Sequence, residues 1–235
     1  ITVPLTKFTR NRVASISNDY LATTDDGVIL RLEDGEYKAV PHRIENGNVE
    51  IYANGGGQFV YSTEKITFTD IKKLQNVKDI EFLAERHVVT GTSANEYSPN
   101  ANITRAQFGA MIARALNLQT TEETYYKDTV GKWYEDEIQA LYEAGITDSP
   151  RKFNPSEPLT RQHAAAFMYR VMEYTGYEVN LLNSKLDYRD STEISNEFKE
   201  AIKVLKELEI MEGDLNNKFL PKEYLTRAQM AKILK

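Results

Sequence analysis

The 235-residue sequence contains no cysteine and a single tryptophan, Trp133. Without cysteine, the chain has no disulfides, no thiolate metal ligands and no thiol nucleophile. Such a composition fits a reducing compartment, and also a secreted protein that folds without bridges. Long apolar runs free of charge are missing too, so we expect no membrane insertion. The chain starts at Ile1 without Met or a signal-peptide pattern, which is typical of a processed or excised form.

Basic residues are also in the minority. The 29 Lys and Arg residues stand against 35 Asp and Glu residues, which gives a formal net charge of −6. A nucleic-acid binder usually presents an excess of positive charge on one face. We therefore expect no nucleic-acid partner.

Signatures of common enzymes are missing as well. The three histidines, His42, His87 and His163, lie far apart and lack the spacing of metal ligands. The sequence has no nucleophile elbow, phosphate-binding loop or dinucleotide fingerprint. Adjacent carboxylates such as Glu122 and Glu123 are typical of solvated helix surfaces. The sequence thus predicts a non-enzymatic chain without a metal site or cofactor.

One motif occurs three times: an aromatic residue, any residue, Pro, three residues, Ile or Leu, then Thr-Arg. Eight positions separate the aromatic residue from Arg in every copy, and the copies cover 97–105, 153–161 and 219–227. A period of roughly 55 to 65 residues indicates supersecondary units that bury apolar surface against one another. The repeat therefore defines the organisation of this part of the chain.

Each repeat begins with an aromatic-x-Asp triplet that contains Asp70, Asp128 or Asp190. Apolar residues at helical spacing follow the triplet, and a second set follows Thr-Arg. Each unit is therefore predicted to be a helix, a loop of about a dozen residues and a second helix. The bounds of the three units are expected at about 67–122, 123–184 and 185–235.

Residues 1–66 have a different pattern. Short β-branched or alternating runs alternate with turn clusters, which is typical of a β meander. The predicted strands are 12–17, 27–32, 37–44, 48–53 and 58–62, and the turn clusters are 25–27, 33–35, 46–47 and 55–57. We therefore predict an α+β chain with a small N-terminal meander or partial sandwich, followed by an all-α region of three repeats at 67–235.

The Thr-Arg pair combines a helix cap with a misplaced cation. Thr104 and Thr226 each precede a Gln by three residues, which predicts a capping box, whereas the second copy has His163 at that position. A cation in the first helical turn opposes the macrodipole, so the Arg needs another reason. It either pairs with the Asp of the triplet or, with the N–H groups of the helix N-terminus, binds an external anion. Both partners remain open.

These residues resemble the S-layer homology domain family, which usually occurs as three tandem copies. The resemblance rests on Phe-x-Asp, a Trp five residues later, Ile-x-x-Leu, aromatic-x-Pro and Ile-Thr-Arg-Ala, and it covers about residues 66–235. Residues 40–62 are similar, less specifically, to the β segment that precedes such repeats. The resemblance implies a pseudo-threefold helical spindle, located outside the cell in the cell wall or S-layer.

The family's activity, carried over by resemblance, is to bind secondary cell-wall polysaccharide, often through a pyruvate ketal on an amino sugar. The alternative is a structural module for protein-protein contacts within an S-layer lattice, in which the Arg-Asp pairs are purely internal. The residues that the resemblance assigns to the polysaccharide are Arg105, Arg161, Arg227, Asp70, Asp128, Asp190 and Trp133.

The three copies are chemically unequal. The family Trp survives only as Trp133, because Gln75 and Glu197, next to Phe198, occupy the corresponding positions. A tryptophan at such a position is more often part of a core than a platform for a ligand. We therefore expect fewer than three ligand sites, the strongest one combining Arg161 with Trp133.

Overall fold

The structure is a computed structural model that describes residues 2–3, 13–16, 27–45, 48–53, 57–120, 122–147, 151–177 and 185–235. The chain folds into two compact units. One consists of Ile1–Pro99, Ala110–Thr121 and Lys235, and the other of Asn100–Gly109 and Glu122–Leu234. Antiparallel strands come first and helices follow, which confirms the α+β class.

Among the described residues of the first unit, seven strands form two antiparallel sheets. The order is β1-β7-β3-β4 in one sheet and β2-β6-β5 in the other. Ile29 and Phe59 from the first sheet share a buried cluster with Val49 and Ile51 from the second, so the segment is a small sandwich. The strands are β1 Thr2–Val3, β2 Val13–Ile16, β3 Val28–Glu33, β4 Glu36–Ala39, β5 His42–Glu45, β6 Asn48–Tyr52 and β7 Gly57–Ser62.

The structure differs from the predicted meander in two details. The single strand expected at 37–44 is two strands, β4 and β5, because Pro41 lacks the N–H that would continue the ladder. Strand β1 was not predicted. The turn at Asp34 and Gly35 is confirmed by positive φ angles of 50° and 83°. The predicted turns at 25–26, 46–47 and 55–56 lie outside the described residues.

Six α-helices follow within the described residues, two for each repeat, as the spacing of apolar residues predicts. They are α1 Val77–Glu85, α2 Arg105–Ala115, α3 Glu135–Glu143, α4 Arg161–Thr175, α5 Lys199–Glu207 and α6 Arg227–Leu234. Short 3-10 turns at Ser191–Glu193 and Asn196–Phe198 precede α5. None of the described helices is long and apolar enough to cross a membrane.

The position after the first helix of each repeat adopts a left-handed conformation. Gly145 has φ +71°, and the corresponding His87 and Glu209 have φ +55° and +56°. Glycine suits this conformation best, since a side chain there is strained. The left-handed backbone conformation is therefore present in all three repeats, although only one of them has glycine at this position.

The predicted capping boxes are present. The N–H of Gln107 donates to Thr104 Oγ1 at 3.2 Å, and the N–H of Thr104 donates to Gln107 Oε1 at 3.0 Å. Thr226 and Gln229 repeat both bonds at the same distances. In the second repeat, the N–H of His163 lies 3.4 Å from Thr160 Oγ1, and His163 Nδ1 lies 2.7 Å from the same oxygen.

We expect Thr104→Ala and Thr226→Ala each to lower the free energy of unfolding by about 1 kcal/mol, because each removes an N-cap acceptor. Chemical denaturation measures the loss, and Thr104→Ser is the matched control that keeps the hydroxyl. Ligand affinity should change less than stability. Unfolding curves that superimpose on that of the parent chain would contradict the capping role.

The three Thr-Arg segments hydrogen-bond to one another in a closed cycle. The N–H of Ile103 donates to the carbonyl of Leu225, Leu225 donates to Leu159, and Leu159 donates to Ile103, each at 2.9 Å. Isolated bridges pair the same segments. This cyclic pattern is the threefold relation expected of the repeats, and it fixes where α2, α4 and α6 begin.

Candidate functional site

The Asp of each aromatic-x-Asp triplet holds the loop that carries aromatic-x-Pro. Asp128 Oδ1 accepts from the N–H of Phe153 at 2.9 Å, and Oδ2 accepts from that of Asn154 at 2.8 Å. The other repeats keep this geometry, with Asp70 on Tyr97 and Ser98, and Asp190 on Phe219 and Leu220. The carboxylate thus fixes the peptide groups on both sides of the aromatic residue.

This clamp acts at a strained backbone position. Ser98, Asn154 and Leu220 have φ angles of +57°, +57° and +59°, which non-glycine residues adopt at a cost. Charge-assisted hydrogen bonds from the same residues offset that cost. The Asp residues therefore have a structural task that the spacing of the sequence did not reveal.

The Arg and Asp of neighbouring repeats meet through the aromatic residue between them. Arg105 Nε donates to the carbonyl of Phe153 at 2.8 Å, while the N–H of Phe153 donates to Asp128. Phe219 takes the same place between Arg161, at 2.7 Å, and Asp190. The peptide groups of Phe153 and Phe219 are thus functional elements that sequence reasoning missed, although the fixed position of the aromatic residue was their signal.

The N–H groups at the start of α2 and α4, which the external-anion alternative needs, are already hydrogen-bonded. In α2, the N–H of Arg105 donates to Glu157 and that of Ala106 to Pro155, and the next two go to Thr104. In α4, the corresponding groups donate to Glu223, Pro221 and Thr160. Because neighbouring loops already occupy these donors, an anion at these helices has to be bound by side chains.

The Arg161 side chain hydrogen-bonds to two carbonyl groups of the third repeat. Besides its bond to Phe219, its NH2 group donates to the carbonyl of Glu212 at 2.8 Å, and its guanidinium lies 4.9 Å from the centre of the Phe219 ring. Burial lowers the pKa of the guanidinium, while the charges of Tyr188, Asp190 and Asp214 oppose that shift. Asp190 itself is only 5% exposed. The half-buried Arg161 is therefore held by carbonyl groups of the third repeat.

Arg105 packs against two aromatic rings and, like Arg161, is half-buried. Its half-buried guanidinium sits 4.8 Å from the ring centre of Phe153 and 5.0 Å from that of Phe167. Asp128, which clamps Phe153, is half-buried, in contrast to Asp190. The guanidinium therefore combines cation–π contacts with partial access to solvent.

Trp133 packs against its neighbour Tyr134, which lies within the electrostatic field of Asp128. Its ring lies edge-on to Tyr134 at 5.0 Å, and burial together with the charge of Asp128 raises the pKa of Tyr134. Trp133 is 61% exposed, so it is not a core residue. We call Arg105, Asp128, Trp133 and Tyr134 the Arg105 surface, which lies over the buried Phe153.

The hydrogen bonds and the ring contact described for Arg161 lie in the third repeat, and the pairing of Trp133 with Arg161 stays a prediction. The positions that correspond to Trp133 are also different in kind. Gln75 is exposed, and Phe198 packs against the His163 ring at 5.0 Å.

Arg227, the third predicted arginine, is 5% exposed, and its N–H donates to the carbonyl of Ala101 at 2.9 Å.

The buried tyrosines of the second and third repeats differ in their hydroxyl partners. Tyr126 Oη lies 3.2 Å from Thr147 Oγ1, but the position corresponding to Thr147 is Met211 in the third repeat. The Tyr188 hydroxyl is buried and has no hydrogen-bond partner among the residues that the structure describes. Burial raises the pKa of Tyr188 to about 12.

We expect Tyr188→Phe to leave stability unchanged or to raise it by about 1 kcal/mol, because a buried hydroxyl without a partner is costly. Tyr126→Phe is the matched control and should lower stability by about 1 kcal/mol, since it removes the bond to Thr147. Urea unfolding measures both. Equal losses in the two variants would show that Tyr188 is satisfied in solution.

The three repeats match a family model described as "S-layer homology domain" at residues 67–108, 125–165 and 187–231. The chain belongs to the S-layer homology domain family. This membership and the S-layer relatives indicate a location at the cell surface or in an S-layer, with surface anchoring as the general role.

Relatives include enzymes as well as S-layer proteins. An endoglucanase of Bacillus sp. (strain KSM-635) is 40% identical over 171 residues, which cover 71% of this chain and 18% of the relative. An amylopullulanase of Thermoanaerobacterium thermosulfurigenes is 34% identical over 80% of this chain and 10% of its own length. The S-layer protein sap of Bacillus anthracis is 27% identical, over 72% and 21%. The chain thus spans a small part of each relative.

Proposed function

We propose that this chain fastens its parent protein to the bacterial cell wall by binding a secondary cell-wall polysaccharide that carries a carboxylate, as a pyruvate ketal on an amino sugar does. The module itself is non-catalytic, and the catalysis named in some relatives belongs to other parts of those proteins. The observation that supports the proposal is the bond of the half-buried Arg105 to Phe153 of the second repeat, the repeat that carries the exposed Trp133.

The chemistry of the Arg105 surface suits such a ligand. A guanidinium binds a carboxylate with charge-assisted hydrogen bonds, and its planar fork matches the two oxygens of that group. The face of Trp133 offers a large apolar area on which a sugar ring can stack. Asp128 positions the Phe153 carbonyl that holds Arg105, so it supports the anion site, and its half-buried carboxylate is within reach of sugar hydroxyls.

We expect the other predicted residues to contribute less to binding of the glycan than the Arg105 surface does. Arg161 is bonded to two carbonyl groups, and Arg227 and Asp190 are each 5% exposed. Asp70 keeps the loop clamp and is exposed to solvent. The three positions therefore offer unequal sites, with the Arg105 surface first.

A pelleting assay on purified wall polysaccharide tests the function. We expect the chain to sediment with the native glycan and to stay in solution after the pyruvate has been removed with mild acid. Equal sedimentation with both preparations would overturn the carboxylate part of the proposal. Failure to sediment with either would favour the alternative, a protein-protein assembly module.

A further inference from the structure

The N-terminal sandwich has a corner at which the chain passes from one sheet to the other. Strands β3 and β4 pair from Glu33 and Glu36 to Leu30 and Ala39, and the ladder stops there. The carbonyl of Pro41 accepts from the N–H of Tyr52 in β6, in the second sheet. The N–H of Ile29, next along β3, therefore needs an acceptor from outside the ladder.

His42, the first residue of β5, supplies that acceptor. The N–H of Ile29 donates to His42 Nε2 at 3.2 Å, and His42 Nδ1 lies 2.8 Å from the carbonyl of Val40. A backbone N–H is always a donor, so Nε2 must carry the lone pair and Nδ1 the proton. This geometry requires the neutral imidazole, and it links the first sheet to the start of the second.

The charges around His42 disfavour a second proton. Arg86, at the end of α1, is the charged group whose field reaches His42. Charges on the neighbouring strands have their own partners: Glu33 pairs with Arg31 at 3.0 Å and with Lys38 at 3.2 Å, Glu50 accepts from the Tyr52 hydroxyl at 3.0 Å, and Arg43 lies opposite Glu50.

A second histidine lies close to the same strands. His87 follows Arg86 directly, and its ring lies edge-on to Tyr37 of β4 at 6.2 Å. Burial lowers the pKa of His87, while the charge of Glu64 opposes the shift. Protonation of His42 and His87 in acid therefore adds positive charge near Arg86.

We propose that this corner of the sandwich is an acid-sensitive joint, closed while His42 is neutral and opened when His42 takes up a proton. A proton on Nε2 turns it into a donor that faces another donor, the N–H of Ile29. The charged ring also faces Arg86. Both effects separate β3 from β5 and loosen the sandwich at the first repeat.

The sign of the pH dependence follows from the same contacts. Burial and the charge of Arg86 lower the pKa of His42 in the folded chain, against the opposing bond to the Val40 carbonyl. The folded state then binds fewer protons than the unfolded one, so the stabilisation is present above pH about 6.5 and is lost as the pH falls through the lowered pKa. Raising the pH restores this stabilisation.

Amide hydrogen exchange of the full chain at pH 7.5 and pH 5.0 tests the joint. After correction for the intrinsic exchange rate, the opening constant at Ile29 should rise in acid, by at most about thirtyfold for one histidine. His42→Gln keeps an acceptor and a donor but cannot titrate here, so it should abolish the rise. His163→Gln, the matched control outside the sandwich, should leave the rise intact.

An opening constant independent of pH in the parent chain, or a rise that persists in His42→Gln, would overturn the proposal. If His42→Gln does not fold, the NMR titration of His42 in the parent chain decides. A midpoint below 6.5 supports the joint, and a midpoint at or above 6.5 refutes it.

Discussion

Arg105→Ala should lower the affinity for the pyruvylated glycan by roughly 10- to 100-fold, because a charge-assisted hydrogen bond to a desolvated carboxylate is worth about 1.5–3 kcal/mol. The variant also loses the bond to the Phe153 carbonyl and two ring contacts, so its melting temperature should fall. Calorimetric titration well below that temperature separates affinity from stability.

Arg161→Ala is the matched control for this substitution. It removes bonds to the carbonyls of Phe219 and Glu212 and should destabilise the chain to a similar degree. Its affinity for the glycan should stay within about threefold of the parent value, a change of less than 1 kcal/mol. A larger affinity loss in Arg161→Ala than in Arg105→Ala would return the principal site to the third repeat.

Asp190→Ala should lower the free energy of unfolding by about 3 kcal/mol. The buried carboxylate accepts from the N–H groups of Phe219 at 2.9 Å and Leu220 at 2.8 Å, and its loss leaves both donors without an acceptor. It also releases Leu220 from a backbone conformation with φ +59°. Urea denaturation measures the change.

Asp70→Ala provides the comparison for Asp190→Ala, since it removes the same two bonds, to Tyr97 and Ser98. Asp70 is exposed, so water can replace the carboxylate and the loss should be about 1 kcal/mol. Equal losses, or a larger one in Asp70→Ala, would show that burial does not set the strength of the clamp.

Local spacing was sufficient to predict the helices and their caps. Residues three or four apart share a helix face, so the stripe containing Ile138 and Leu141 predicted α3, and both are buried. Thr-x-x-Gln predicted two capping boxes because the cap and its partner lie within one turn. The same local logic predicted most strands, and it missed β1 and the break at Pro41.

Contacts between repeats could not be predicted from local spacing. The donors at the start of α2 are occupied by carbonyls of Glu157 and Pro155, about fifty residues away in the sequence. No local pattern encodes that pairing, so the sequence left open whether these N–H groups could bind an external anion. The proposed grouping of Trp133 with Arg105 depends in the same way on the long-range bond between Arg105 and Phe153.

Tryptophan fluorescence tests the Arg105 surface most directly, because Trp133 is the only tryptophan of the chain and is 61% exposed. Titration with a short pyruvylated glycan should shift its emission to shorter wavelength with a single saturable site, and the Arg105→Ala variant should show little shift at the same concentrations. An emission spectrum that stays constant while calorimetry records binding would contradict the account.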